Sequence, residues 1–259
     1  MSLPPNCLVF DIETVPDAEL GRRLGFEGDD RAVAAAMLAA REEESGTAFL
    51  PLEQHRVVAI STLLRSGDQL QVWSLGEAAS GEDELVRRFF GGVEKVRPTL
   101  VSWNGSGFDL PVLHYRMLRH AIAAPTYWET GERDRDFRWN NYLNRYHMRH
   151  VDLMDVLSAY QARGRARLEH MALLLGLPGK LGMSGDQVFD FWSEGRIAEI
   201  RAYCETDVLN TYLIWLRFEL ARGQLSVTAH ADEVGRVRAW LGERTEPHWR
   251  QYADAWARA

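Results

Sequence analysis

Two carboxylates lie two residues apart in the stretch FDIET, where an interior strand would carry none. Residues 7–10 are apolar and partly β-branched or aromatic, which predicts a strand that continues through Asp11 and Glu13. Since strand side chains alternate between faces, both acids share one face, roughly 7 Å apart. Like charges this close to a core repel each other and lose hydration unless a cation or a proton offsets them. The pair therefore indicates either a bound cation or a strand end that reaches solvent.

A third acid interrupts the apolar stripe of a long helix predicted over residues 195–222. The stripe follows a 3-4-3-4 spacing and consists of Ile200, Cys204, Asp207, Thr211, Ile214 and Phe218. Asp207 occupies a position where a core would take leucine, and Tyr203 lies one turn earlier on a neighbouring part of the same face. A buried aspartate of this kind is either part of a site or satisfied by a nearby arginine or backbone group.

Asp109, in SWNGSGFDLPVL, is the fourth candidate acid. It follows a strand predicted at 99–103 and a glycine-rich turn, and Pro111 falls in the first turn of the next helix. An aspartate there is an ordinary N-cap, but the end of a strand is also where α/β sheets gather their sites. If all four acids converge, oxygen ligands without paired cysteines or histidines favour Mg²⁺ or Mn²⁺. Carboxylates that share two such ions are typical of in-line displacement at phosphorus.

Composition and the order of the predicted strands and helices indicate the fold class that must position these acids. Hydrophobic residues make up 46% of the 259 positions, which is enough for a full core. A predicted hairpin (56–64 and 69–75) is followed by strands that alternate with helices, which favours an α/β fold with a mixed sheet. The two cysteines form no disulfide framework or zinc pattern, and we find neither a signal peptide pattern nor a membrane span. We therefore expect a cytoplasmic protein with no membrane partner.

Three motifs, taken in order, resemble the DEDD-type 3′–5′ exonucleases of the RNase H-like superfamily, in the tyrosine subclass. They are Asp11-x-Glu13 in FDIET, Asp109 in NGSGFDLP and Tyr203-x-x-x-Asp207 in YCETDVLNTY. The chain is similar to predicted exonucleases related to the proofreading domain of family B DNA polymerases. The resemblance implies an RNase H-like mixed β-sheet flanked by helices on both faces. It covers about residues 7–222, so we expect an exonuclease domain over 1–222 and a C-terminal helical tail over 223–259.

The resemblance also implies roles for the motif residues around two divalent metal ions, Mg²⁺ or Mn²⁺. Asp11 would bridge both ions. Glu13 and Asp207 would complete the ion that activates water, and Asp109 would hold the other, partly through water. Tyr203 would orient the attacking water through its hydroxyl. The expected product is a nucleoside monophosphate released from a 3′ end.

Substrate contacts are expected on both sides of these acids. By resemblance, Thr14, Asn104 and Phe108 would contact the terminal nucleotides, although Asn104 and Phe108 are equally explained as a turn residue and a core ring. Arginines alternate with aromatic residues over 133–149, and a second basic stretch, ARGRAR, covers 162–167. Arginine contacts to phosphate combined with aromatic stacking hold single strands, but interleaved acids make a solvated loop an equal alternative.

The expected partner is single-stranded nucleic acid, DNA ahead of RNA, although no motif distinguishes the two. The formal net charge of −7 argues little against this, because acids that bind metal coexist with local basic patches. A polymerase or other protein partner stays unassigned. The alternative function is a nucleic-acid-binding or small-nucleotide-hydrolysing protein on the same fold. A haloacid dehalogenase-type phosphatase would need D-x-D where this chain has D-x-E.

Overall fold

A strand with an apolar first half lies at the centre of a five-stranded mixed sheet in the computed structural model, which describes residues 3–258. The strands are β1 (Asn6–Pro16), β2 (His55–Ser66), β3 (Gln69–Ser74), β4 (Thr99–Ser102) and β5 (His150–Asp152). Their spatial order is β3-β2-β1-β4-β5; β1, β4 and β5 are parallel, and β2 is antiparallel to both of its neighbours. The predicted α/β class with a mixed sheet is confirmed.

Helices cover both faces of this sheet. They are α1 (Ala18–Arg23), α2 (Asp30–Ser45), α3 (Glu82–Val96), α4 (Asp109–Arg119), α5 (Leu153–Leu157), α6 (Leu168–Leu174), α7 (Val188–Ser193), α8 (Ile197–Ala221), α9 (Val227–Gly242) and α10 (Pro247–Arg258). Helices α3 and α4 build one core against the sheet, and α6 and α8 build another on the opposite face. Within residues 3–258, no helix combines the length and apolarity needed to cross a membrane.

The side chains of β1 alternate between these two cores. Leu8 and Phe10 pack in the core that contains α3 and α4. Cys7 and Val9 pack in the core that contains α8. The odd-numbered positions of β1 therefore face α8, as the period of a strand requires.

The pairing of β1 with β2 shifts by one residue at the carboxyl end of the acidic motif. Glu13 lies opposite Ala59, whereas Thr14 lies opposite Val57, so Val58 is the extra residue of a bulge. Bulges bend a strand and re-aim the side chains next to them, and they are frequent beside active sites. Because of this shift, the Thr14 side chain does not continue the regular alternation of side chains between the two faces of β1.

The sequence pattern did not reveal one of the strands. After α4 the structure has the short strand β5, followed directly by the five-residue α5. A three-residue edge strand is shorter than the roughly four to eight residues over which the alternation of a strand can be recognised. This strand nevertheless carries Asp152 to the end of the sheet beside β4.

The C-terminal helices α9 and α10 pack on α8 rather than extending away from it. Val237, Trp249 and Tyr252 belong to the same buried cluster as the α8 residues, and the Tyr252 hydroxyl donates to Asn210 Oδ1 at 2.7 Å. The boundary at 222 between domain and tail stays a prediction. The outermost ends of the predicted ranges, residues 1, 2 and 259, lie outside the described residues.

Candidate active site

β1 presents Asp11 and Glu13 to α8, because both stand at odd-numbered positions. A carboxylate oxygen of each acid and the thiol sulfur of Cys204 lie within 4.8 Å of one another. Glu13 is buried and Asp11 is half-buried, so the pair does not simply extend into solvent. The solvent-exposed alternative for FDIET is therefore wrong for Glu13, and the third member of this cluster, Cys204, was not expected from its apolar stripe.

α8 places the side chains of Cys204 and Asp207 near the acids of β1. Asp207 is buried, and its Oδ1 atom has no hydrogen-bond partner among residues 3–258. The Cys204 thiol donates to the backbone carbonyl and to Oδ2 of Asp11, both at 3.4 Å. A buried carboxylate oxygen without a donor is costly to the fold. This oxygen therefore marks a place where a cation would replace the missing donor.

Asp109 joins the cluster from the other side of β1. It begins α4 at the carboxyl end of β4, and it is 3% exposed. Its Oδ1 accepts a hydrogen bond from the backbone N–H of Ile12 at 3.1 Å, between the two acids of β1. Phe108 occupies the N-cap position of α4, so the ordinary N-cap explanation of Asp109 is wrong. The second carboxylate oxygen of Asp109, Oδ2, is therefore available to a ligand.

Burial raises the pKa of all four acids. Burial raises the pKa of Asp109 to about 7 and that of Asp207 to about 6. The pKa values of Asp11 and Glu13 rise well above their ordinary range through lost hydration first and neighbouring carboxylates second. Burial followed by the same carboxylates raises the pKa of Tyr203, so its hydroxyl keeps its proton. Such a cluster favours bound protons or a multivalent cation.

A lysine that the sequence analysis did not single out lies over this cluster. The Lys180 ammonium is 5.5 Å from the centre of the Tyr203 ring and lines the same cleft as Asp11 and Asp207. Its positive charge works against the raised pKa values of both aspartates. Only two lysines occur among 30 basic residues, a scarcity that is the one clue the sequence offered.

Thr14 and Phe108 both contact His55. The Thr14 hydroxyl lies 2.9 Å from Nδ1 of His55, whose Nε2 lies 3.2 Å from the carbonyl oxygen of Leu50. Because a carbonyl oxygen only accepts, Nε2 carries the proton and Nδ1 accepts from Thr14. The half-buried ring of Phe108 packs edge-on against His55, with ring centres 5.1 Å apart, and also contacts the exposed Phe49.

Asn104 lies in the turn between β4 and α4 with a left-handed backbone, φ 67°. The carboxylate of Asp152 fixes this turn by accepting from the backbone N–H groups of Asn104 (3.0 Å) and Ser106 (2.9 Å). Asn104 Oδ1 is buried and has no hydrogen-bond partner within the described chain. The strained turn thus holds an unpaired acceptor beside the cleft.

A cleft of about 800 Å³ opens over the acids. Asp11 and Asp207 form its floor, and Asn104, Lys180 and Arg165 lie around it. The donor atoms of the acidic cluster are chiefly carboxylate oxygens, which suit Mg²⁺ or Mn²⁺, with one thiol, that of Cys204, which favours softer ions. The residues present therefore fit a divalent metal ion.

Residues 47–256 match the model of a family described as predicted 3′–5′ exonucleases related to the exonuclease domain of PolB. The matched span contains Asp109, Tyr203 and Asp207, begins after Asp11 and Glu13, and extends through most of α10. No curated protein matches the chain.

Among solved structures, product-bound exonuclease I is similar with a TM-score of 0.34 and 14% identity over 83% of this chain and 47% of that chain. An ExoI/SSB-Ct complex matches with a TM-score of 0.34 and 14% identity over 83% of this chain and 44% of that one. The same values hold for the zinc-bound form of an E. coli ExoI–ssDNA complex. The chain spans slightly less than half the length of these proteins.

Proposed function

Because this chain belongs to the predicted 3′–5′ exonucleases related to the exonuclease domain of PolB, we propose that it releases nucleoside monophosphates from the 3′ ends of single-stranded nucleic acid. The general activity, that of a 3′–5′ exonuclease, follows from membership of this family. The strand type, the preference for DNA over RNA and the use of two metal ions are proposed. The observation that carries the proposal is the convergence of four acids with raised pKa values from β1, α4 and α8, two of which, Asp11 and Asp207, line one cleft.

Asp11, Glu13, Asp109 and Asp207 would hold two divalent ions, Mg²⁺ or Mn²⁺. The unpartnered Oδ1 of Asp207 and the clustered oxygens of Asp11 and Glu13 support this assignment. When bound, the ions supply a water of lowered pKa and stabilise the charge that develops on the leaving 3′ oxygen. Backbone donation to Asp109 and thiol donation to Asp11 hold those two carboxylates in place beforehand.

Tyr203 would orient the attacking water through its hydroxyl. Its raised pKa keeps that hydroxyl protonated at neutral pH, so it can donate or accept a hydrogen bond without adding a negative charge. Lys180, which packs over the Tyr203 ring, adds positive charge near the position of the substrate phosphate.

Thr14, Asn104 and Phe108 would contact the terminal nucleotides. Phe108 and the exposed Phe49 offer adjacent aromatic rings for stacking on a base. The unpaired Oδ1 of Asn104 is an acceptor for a base or sugar donor. The Thr14 hydroxyl is held by His55, which fixes its direction.

The test is a time course on a 5′-labelled single-stranded oligonucleotide with Mg²⁺ or Mn²⁺, in matched DNA and RNA versions. We expect a ladder that shortens from the 3′ end, faster for DNA, and that disappears with EDTA or in Asp11→Ala. Asp186→Ala is the matched control, because Asp186 lines the same cleft but is exposed and lies outside the acidic cluster. A folded, metal-binding protein that degrades neither strand would refute the proposal, and cleavage of dinucleotides alone would favour a small-nucleotide hydrolase.

A further inference from the structure

A second cavity, of about 320 Å³, lies beside the catalytic cleft. The turn after β4 separates the two: Asn104 lines the cleft, whereas Ser106 and Gly107 line the cavity. Arg165 lines both. A strand that enters the cleft therefore has a direct route into this neighbouring space.

Two arginines share one buried acid in the cavity lining. Arg145 and Arg165 donate to the two carboxylate oxygens of Asp155, at 2.6 and 3.1 Å. The Asp155 side chain is 4% exposed, whereas those of Arg145 and Arg165 are 43% and 38% exposed. One carboxylate balances only one of the two guanidinium groups, so a positive charge remains. Each guanidinium has five N–H donors, which leaves most of them for a phosphate.

Beside these charged groups, the cavity is lined by neutral side chains, of which Tyr127 and Tyr142 are almost fully buried. The rings of Tyr127 and Tyr142 stack with centres 5.4 Å apart and planes 12° apart. Burial lowers the pKa of His114 and of His150 to about 4, so both imidazoles are neutral at neutral pH. Neutral lining groups beside two partly exposed guanidinium groups suit the phosphate group of a nucleotide.

Two tyrosine rings, of Tyr146 and Tyr160, pack near the guanidinium group of Arg145. Its guanidinium lies 5.8 Å from the ring centre of Tyr146 and 5.2 Å from that of Tyr160, and these two rings meet edge-to-face. Ala159 and Tyr160 both adopt left-handed backbone conformations, φ 50° and 61°. Strain at two consecutive residues without glycine persists only where surrounding contacts enforce it. The result is an arginine presented in a fixed orientation.

The other arginines of this region do not share these features. Arg149 donates to the carbonyl oxygen of Asn140 at 2.6 Å and lies 4.0 Å from the ring centre of Phe137, so it supports the loop itself. Arg138 is exposed and does not line the cavity. Of the arginines predicted over 133–149 and 162–167, Arg145 and Arg165 are the two that line this cavity.

We propose that this cavity binds a nucleotide that lies further toward the 5′ end of the strand than the two nucleotides flanking the scissile phosphate, with its phosphate on Arg145 and Arg165. The proposal rests on the proposed exonuclease function. An enzyme that cleaves at a 3′ end leaves the rest of the strand attached on the 5′ side. A subsite beyond the cleft is therefore filled only by substrates longer than those that the cleft alone accommodates.

The test compares Arg145→Gln with Arg138→Gln, which removes the same charge from the same loop outside the cavity. Hydrolysis of a dinucleotide and of a single-stranded 15-mer is measured with Mn²⁺, together with binding of the 15-mer in EDTA across a salt series. For Arg145→Gln, we expect KM for the 15-mer to rise roughly tenfold, as for loss of a charged hydrogen bond. We expect kcat and all dinucleotide parameters to stay unchanged. The slope of log affinity against log salt should fall by about 0.7, as for one lost phosphate contact on a single strand.

Equal behaviour of the two variants on the 15-mer, or an equal loss on the dinucleotide, would overturn the subsite. A wild-type protein that hydrolyses neither substrate would instead overturn the proposed function, so the two failures are distinguishable. Since Arg165 still pairs with Asp155 in Arg145→Gln, the buried acid keeps a partner and the fold is expected to hold. Circular dichroism and thermal unfolding of both variants check this point.

Discussion

Replacing Asp207 by asparagine should stabilise the metal-free protein, although the same change removes one of the proposed metal ligands. Burial raises the pKa of the Asp207 carboxyl from 3.8 to about 6. A raised pKa in the folded state means that the charged form weakens the fold as pH rises from the unfolded value to the folded one. Each pKa unit corresponds to about 1.4 kcal/mol. The ionised Asp207 therefore costs the metal-free protein roughly 3 kcal/mol at pH 8.

Asp207→Asn keeps the shape of the side chain and removes this charge. In EDTA at pH 8 we expect the free energy of unfolding to increase, by at most roughly 3 kcal/mol. The gain should shrink as pH falls below about 6 and vanish below the ordinary pKa of 3.8, where both states of the wild type are protonated. With Mg²⁺ or Mn²⁺, the wild type should be stabilised more than the variant, since only the wild type retains all four carboxylates.

The assay is urea unfolding at pH 5 and pH 8, with EDTA or with saturating metal. Asp186→Asn is the control, because Asp186 is an exposed acid of the same cleft whose pKa is lowered through its hydrogen bond with Ser184. That variant should gain no stability at pH 8. The reasoning is refuted if Asp207→Asn is no more stable than wild type in EDTA at pH 8, or if its gain is the same at both pH values.

Three further outcomes are expected. Tyr203→Phe should lower kcat at least tenfold while calorimetry finds metal affinity unchanged; loss of metal binding would contradict the water-orienting role. Arg116→Met should cost about 3–5 kcal/mol in urea unfolding, because Arg116 is 3% exposed and binds two buried carboxylates. A loss below 1 kcal/mol would contradict that estimate. Gly105→Ala should cost about 1–3 kcal/mol, because the added methyl group would overlap the Ser102 side chain. Unchanged thermal stability would show that the turn can move.

Local periodicity in the sequence was sufficient to predict most of the acidic cluster. The alternation of a strand puts Asp11 and Glu13 on one face, and the helical period puts Asp207 on the buried side of α8 near Tyr203. These relations depend on backbone geometry within a few residues, so they hold whatever the rest of the chain does. Likewise, the hairpin of β2 and β3 follows from a short turn between two apolar segments.

The tertiary structure alone decided which of these faces meet. Asp11 meets Cys204 across 193 positions, and Asp109 meets the backbone of Ile12 across 97. Such contacts depend on the order in which strands join the sheet and on how α8 lies across it, which no local period contains. The role of Asp109 as an acceptor for β1, instead of an N-cap, belongs here, as does the approach of Lys180 to Tyr203.

The same distinction applies to the arginines. Their number and their mixture with aromatic residues are visible in the sequence, but their exposure and partners are not. Arg149 is used by its own loop, whereas Arg145 and Arg165 are brought together by Asp155, a buried acid next to the short strand β5 that the sequence pattern did not reveal. Sequence period determines which side chains share a face. Packing determines which of their charges remain available to a ligand, because only the folded chain fixes where each guanidinium finds its carboxylate.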